Sequence, residues 1–305
     1  MAEHIKHMKD GIYEKVMSKE FADRLMEAIE AKKVWAERDD ADAYEATGYL
    51  SSYLEKLIRL CLKDIADRNT EAVLSDEIEL TNQLVEMLAE RLPDLGHGHS
   101  VVKNQFLLKS LEHVANKTSP RKWEYPDTSL TKSFLFTNSH NDTSMVSELR
   151  KEIMSADRID FLVSFIRFSG LALLLPYLRD FTNKGGHLRV ITTTYMGATD
   201  PKAVVELAKL PNTEIHISYN VKETRLHAKS YIFHRDSQFS TAYIGSSNLS
   251  HAAIAEGLEW NMKITEQDMP SIMEKMTATF ETYWNSDEFQ VFHVEQEDDF
   301  IKAID

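Results

Sequence analysis

The period of the apolar residues changes once along this chain, near residue 129, and that change restricts the folds open to it. Before it the spacing is helical. Tyr13, Val16, Met17, Phe21, Leu25, Met26 and Ile29 recur three and four residues apart, as do Leu50, Tyr53, Leu54, Leu57, Ile58 and Cys61. Leu80, Leu84, Met87 and Leu88 mark a further helix, ended by Pro93 and Gly96, and another is expected over 101–114. Residues 116–128 carry Pro120 and Pro126 without any helical or strand period and read as a linker. From Ser129 onward short β-rich runs alternate with helical ones. Strands are expected at 133–137, 159–164, 188–193, 214–218, 230–233, 242–244 and 259–264, and helices at 144–155, 170–183, 201–210 and 270–284. Asp200 ahead of Pro201 is a helix start, with a capping side chain and a proline in the first turn. Such alternation predicts an α/β sandwich around a mixed sheet over 129–286, preceded by an all-helical N-terminal domain over 1–115. Residues 287–305 hold one lysine and seven acids and read as an acidic tail or linker.

The chemistry is concentrated in one stretch. His227-Ala228-Lys229 is followed by Gly245-Ser246-Ser247-Asn248 and then by Glu259. Alternate residues of a strand share a face, so His227 and Lys229 point the same way. A paired strand ending in the Gly-Ser-Ser-Asn turn brings Ser246 and Asn248 to the same pole. The set suits a phosphate oxyanion with a nucleophile beside it. An isolated H-x-K is ordinarily just a surface alternation; the spaced partners are what give it weight.

The order H-x-K, G-S-x-N, then a Glu eleven positions after the Asn resembles the phospholipase D superfamily, the HKD phosphodiesterases. One position departs from the pattern: where the family has an Asp, after four residues beyond the Lys, this chain has His234, and the nearest acid is Asp236. Residues 155–166, 191–200 and 225–229 are similar to the nuclease-like region at the N-terminus of certain bacterial DEAD/DEAH-type superfamily-two helicases. No Gly-x4-Gly-Lys-Ser/Thr loop occurs, so that resemblance implies a helicase motor outside this sequence, in a longer chain or a partner.

The resemblance implies cleavage of a phosphodiester without metal or cofactor, through a phosphohistidine. His227 is the expected nucleophile. Lys229 and Asn248 are expected to hold the non-bridging oxygens. Ser246 or Ser247 adds a hydroxyl or backbone donor, and Glu259 orients a catalytic histidine, within the chain or across a dimer. The acid for the leaving oxygen must be a second histidine. His4-Ile5-Lys6 lacks a G-S-x-N partner and does not qualify, so a homodimer that sets His227 opposite His227 is expected. Arg225 either binds a neighbouring phosphate or is a solvated strand end. Ser164, Arg167, Thr193 and Tyr195 lie at C-terminal ends of expected strands, where α/β folds place ligands, and complete the candidate substrate-binding set. His97-Gly98-His99 has no Cys or acid at metal-ligand spacing.

Composition leaves the nucleic-acid reading open. The net charge of −14 opposes a polyanionic partner, but its distribution does not. Residues 1–128 hold 18 basic and 25 acidic residues, whereas 129–286 hold 16 and 17 and are nearly neutral. The single cysteine, Cys61, the lack of a signal-peptide core and the absence of any apolar run of membrane-spanning length predict a cytoplasmic protein without a membrane segment. The resemblance to the nuclease-like helicase region implies DNA as the substrate, ahead of a non-catalytic nucleic-acid-binding or assembly role and of lipid headgroup hydrolysis.

Overall fold

The computed structural model describes residues 9–38, 40, 42–68, 71–92, 97–105, 107–112, 122–137, 139, 143–219, 226–256, 259–296 and 300–302. It divides into two compact units, residues 1–111 and 112–305.

The first unit is helical: α1 (Lys19–Glu30), α2 (Ala43–Asp67) and α3 (Val73–Ala89). Ser18 caps α1, its hydroxyl accepting from the Phe21 amide at 3.3 Å. The helix expected over 101–114 does not form over its described residues, 101–105 and 107–112. The Asn82 amide of α3 takes both main-chain groups of Val101, accepting from its N–H at 2.7 Å and donating to its carbonyl at 3.1 Å. A residue whose donor and acceptor are both engaged by a neighbouring side chain has none left for a helical ladder.

The second unit is an eight-stranded mixed sheet in the order β1-β7-β6-β5-β2-β3-β4-β8. Its strands are β1 (Phe134–Phe136), β2 (Arg158–Val163), β3 (His187–Thr193), β4 (Thr213–Ser218), β5 (Lys229–His234), β6 (Thr241–Gly245), β7 (Asn261–Thr265) and β8 (Phe289–Val291). β2, β3 and β4 are mutually parallel, and every other pairing is antiparallel. The helices are α4 (Met145–Ser155), α5 (Phe168–Asn183), α6 (Pro201–Ala208) and α7 (Pro270–Trp284). Both faces of the central strands are buried, as parallel strands under helical crossovers require. Ile159, Phe161 and Val163 join the core that includes Leu149 and Ile153 of α4, Leu171 and Leu174 of α5 and Val204 of α6. Leu162, Ile191, Ile232 and Ala242 pack with Met273 and Phe280 of α7. The expected cap forms at α6: Asp200 accepts from the Lys202 amide at 3.1 Å and from the Phe168 amide at 3.3 Å, tying the starts of two helices together.

The acidic tail is a correction. β8 lies within it and pairs antiparallel with β4, and Phe292 and Phe300 are buried in the main core. Three aromatic residues, Phe289, Phe292 and Phe300, are buried because each gains by leaving water, while Asp287 and Glu295 beside them stay exposed. The end of the expected linker is likewise part of this unit. The Asp127 amide donates to Glu148 at 2.6 Å, and Thr128 donates to the same carboxylate. Residues 116–121 of that linker lie outside the described residues.

Candidate active site

Four strand ends meet at one pole of the sheet. β2 ends at Val163, paired with Lys229 at the start of the antiparallel β5. β6 ends at Gly245, paired with Asn261 at the start of β7. His227 and Lys229, the Ser246–Asn248 turn and Glu259 are thereby carried to the same edge.

Lys229 is almost fully buried and His227 is exposed. The Lys229 ammonium lies 3.0 Å from both ring nitrogens of His227 and donates to the His227 carbonyl at 2.9 Å. Burial lowers the Lys229 pKa from its ordinary value, and the negative charge of Glu259 works against that shift. Lys229 and Glu259 therefore act on one another across the pole. The Phe165 ring stands edge-on to His227, with centroids 6.3 Å apart. Asn248 Oδ1 accepts from the Phe165 amide at 3.2 Å, which draws the turn after β6 against the end of β2. This last contact, made by a main-chain group, left no trace in the residue types. Ser246 is exposed, and its hydroxyl accepts from the Trp260 amide at 3.2 Å.

The remaining expected site residues divide by burial. Ser247 is completely buried: its hydroxyl donates to the Ala253 carbonyl at 3.1 Å and accepts from Asn261 at 2.7 Å. Ser164 is buried too, its hydroxyl donating to the Ala228 carbonyl at 3.0 Å. Thr193 donates to the Ser218 carbonyl at 3.1 Å and accepts from the Tyr195 amide at 3.1 Å. These three hydroxyls shape the pole from beneath and do not face solvent, a correction to their expected contact with substrate. A small hydroxyl at a strand end satisfies buried main-chain groups as readily as it meets a ligand. Arg167 is exposed at the start of α5, and Tyr195 is half-buried beyond β3. Arg225 and His4 lie outside the described residues.

His234, which stands where the family pattern has an Asp, is at the opposite end of β5 from Lys229. Five residue steps of strand separate them by roughly 16 Å. Its ring Nε2 lies 2.7 Å from Asp160 Oδ2, and Asp160 also accepts two bonds from Arg189 at 2.7 and 2.8 Å. Burial alone raises the Asp160 pKa, but the bonds and charges of His234 and Arg189 together bring it below the ordinary carboxylate value. The departure from the pattern therefore lies in an ion-pair network away from the pole. Among the described residues, no group of three or more His, Cys, Asp or Glu comes together as a metal cage. Nor is any helix among them long and apolar enough to cross a membrane.

The model of the family described as cardiolipin synthase, PLD-like domain, matches residues 149–284. Among solved structures, the chain is similar to NucT from Helicobacter pylori, at 17% identity and a TM-score of 0.40, over 50% of this chain and 94% of that one. It is similar to Nuc, a phospholipase D family member from Salmonella typhimurium, at 17% identity and a TM-score of 0.41, over 53% and 98%. It is also similar to phosphatidylserine synthase from Haemophilus influenzae Rd KW20, at 9% identity and a TM-score of 0.39, over 56% and 44%. A comparison with curated proteins finds no match.

Proposed function

We propose that the chain is a metal-independent phosphodiesterase acting on DNA, a reading supported by the match of residues 149–284 to the model of a phospholipase D-like domain. The observation that carries the reading is the His227–Lys229 pair, an exposed imidazole with a buried ammonium 3.0 Å from it, at a pole that also holds Asn248 and Glu259. A neutral imidazole nitrogen of His227 attacks phosphorus, forming a P–N bond as the P–O bond to the leaving alcohol breaks. A second histidine gives its proton to the departing oxygen. Water then attacks the phosphohistidine, passing its proton to that second histidine, and His227 is released. Lys229 and Asn248 stabilise charge on the non-bridging oxygens. Each chain has one H-x-K with a G-S-x-N partner, so the second histidine is His227 of a second copy related by a twofold axis.

The test is cleavage of labelled DNA, RNA and phospholipid by the purified chain in excess EDTA. DNA cleavage that persists in EDTA and disappears in His227→Ala, with folding unchanged, is the expected outcome. DNA binding with no turnover on any substrate would replace this reading with a non-catalytic binding module. Activity lost in EDTA and restored by Mg²⁺ would overturn the covalent mechanism.

A further inference from the structure

One residue of the Gly245–Asn248 turn is gripped at every polar atom, and the grip comes largely from the two strands that carry the candidate catalytic groups. Ser247 is completely buried. Its carbonyl accepts from the Tyr231 hydroxyl at 2.9 Å. Its amide donates to Asn261 Oδ1 at 3.3 Å. Its hydroxyl accepts from Asn261 Nδ2 at 2.7 Å and donates to the Ala253 carbonyl at 3.1 Å. Tyr231 lies two residues beyond Lys229 in β5, on the same face by strand alternation. Asn261 opens β7, two residues beyond Glu259. Tyr231 and Asn261 are each 1% exposed, too deep to touch a substrate.

The position of Ser247 bears on its neighbour. Asn248 is the next residue, and its Oδ1 is already engaged by the Phe165 amide at 3.2 Å. The other end of that carboxamide, Nδ2, is the end left to donate to a phosphate oxygen. Where it points depends on where the main chain at 247 lies. A Cβ on Gly245 would meet Asn261 Oδ1 at 2.6 Å, so glycine there makes room for the Asn261 carboxamide under the turn. An apolar side chain at 247 would fill the same space. Hydrogen bonds from two strands fix direction as well as depth.

We propose that Asn261 and Tyr231 are positioning residues which, through Ser247, hold Asn248 in register with Lys229 and Glu259. The inference rests on the phosphate-site reading above and deepens it. Lys229 and Tyr231 share one strand, Glu259 and Asn261 adjoin on another, and Asn248 sits on the turn between β6 and β7. Groups from three segments must meet one phosphate to within about 0.5 Å of a productive geometry. Ser247 is where direct hydrogen bonds join those three segments. A carboxamide suits position 261 because it accepts from the Ser247 amide and donates to the Ser247 hydroxyl at once; a carboxylate has no proton to donate.

The experiment is a pair of double-mutant cycles on the full chain in EDTA. Tyr231→Phe and Asn261→Ala are each made in the wild type and in Asn248→Ala. On every chain kcat and KM for DNA, affinity for inorganic phosphate and thermal unfolding are measured. With Asn248 present, Asn261→Ala should lower kcat by about thirtyfold and Tyr231→Phe by about fivefold, with KM changed by less than about twofold. In the Asn248→Ala chain both losses should shrink to within about twofold, because a residue that acts through Asn248 has nothing to position once it is gone. Equal losses with and without Asn248 would make both residues parts of the fold only and overturn the proposal. So would wild-type kcat in both variants. Should Asn261→Ala fail to fold, Tyr231→Phe, which removes a single oxygen, carries the cycle alone. Where turnover is absent or too slow to measure, the same cycle is read in phosphate affinity: a loss that vanishes without Asn248 supports the clamp, and one that persists overturns it. Clamp-dependent phosphate binding in a wild type that cleaves nothing would remove the nuclease reading alone. A wild type that binds neither phosphate nor DNA would remove both.

Discussion

Replacing Glu152 with Gln should destabilise the sheet unit by an amount that depends on pH in a defined direction. Glu152 of α4 is completely buried. It accepts from Arg235 at 2.5 Å, from Thr241 at 2.8 Å and from the Tyr243 hydroxyl at 2.7 Å, and it pairs with the buried Lys263 at 2.9 Å. Burial by itself raises the carboxyl pKa. The charges of Arg235 and Lys263, with the bonds from Arg235 and Tyr243, overcome it and bring the value down to about 2 from 4.5. A carboxylate with a depressed folded-state pKa contributes stability that is fully present above its unfolded pKa and is lost as the pH falls through the folded one. A shift of this size corresponds to about 3 kcal/mol near neutral pH, falling to about 1 kcal/mol around pH 3. Glu152→Gln keeps the shape and removes the titration. Urea unfolding of wild type and variant, followed by hydrogen-exchange protection of β6 and β7 peptides, isolates this unit from the helical one. The gap between the two proteins should be about 3 kcal/mol near pH 7 and should close on acidification. A gap that stays constant between about pH 7 and pH 3, or stays under about 1 kcal/mol throughout, would show that the buried cluster does not hold Glu152 ionised.

Lys229→Ala should lower kcat by about a hundredfold or more, because its ammonium acts on charge that develops in the transition state; a variant turning over at the wild-type rate removes Lys229 from the site. Asn248→Ala should also slow turnover, with some loss of stability from the broken Phe165 contact, so thermal unfolding is measured beside the kinetics. Mixed dimers of wild-type and His227→Ala chains should be badly impaired, since each lacks either the nucleophile or the acid. A fully active monomer in sedimentation would contradict the twofold site and turn attention to His251, three residues beyond Asn248. His234→Ala should leave the rate within about twofold while lowering stability, because its partner Asp160 is buried far from the pole; a catalytic collapse with intact folding would refute that separation.

The mixed-sheet architecture and the convergence of His227, Lys229 and the Gly245–Asn248 turn were legible in the residues alone. A period-two run fixes which side chains share a face, and a glycine-rich turn after a strand fixes where a pole lies; both are local properties. Asp200 ahead of Pro201 was legible for the same reason, since a cap reaches only two or three residues. What the tertiary structure decided involves partners far apart in sequence. The segment 287–305 looked like a solvated tail because its carboxylates dominate any short window, yet Phe289, Phe292 and Phe300 found a sheet edge and a core. Arg235 follows directly on β5, and its guanidinium reaches inward to Glu152, 83 residues earlier, a pairing no short window of sequence contains. His234 looked like a defect in a catalytic pattern until Asp160, 74 residues away, proved to be its partner. Ser164, Thr193 and Ser247 looked like ligand contacts because a hydroxyl at a strand end has the same residue type whether it faces water or a buried carbonyl. Periodicity records the face a side chain occupies, while burial and pairing depend on which distant segment covers that face, and only the assembled sheet determines that.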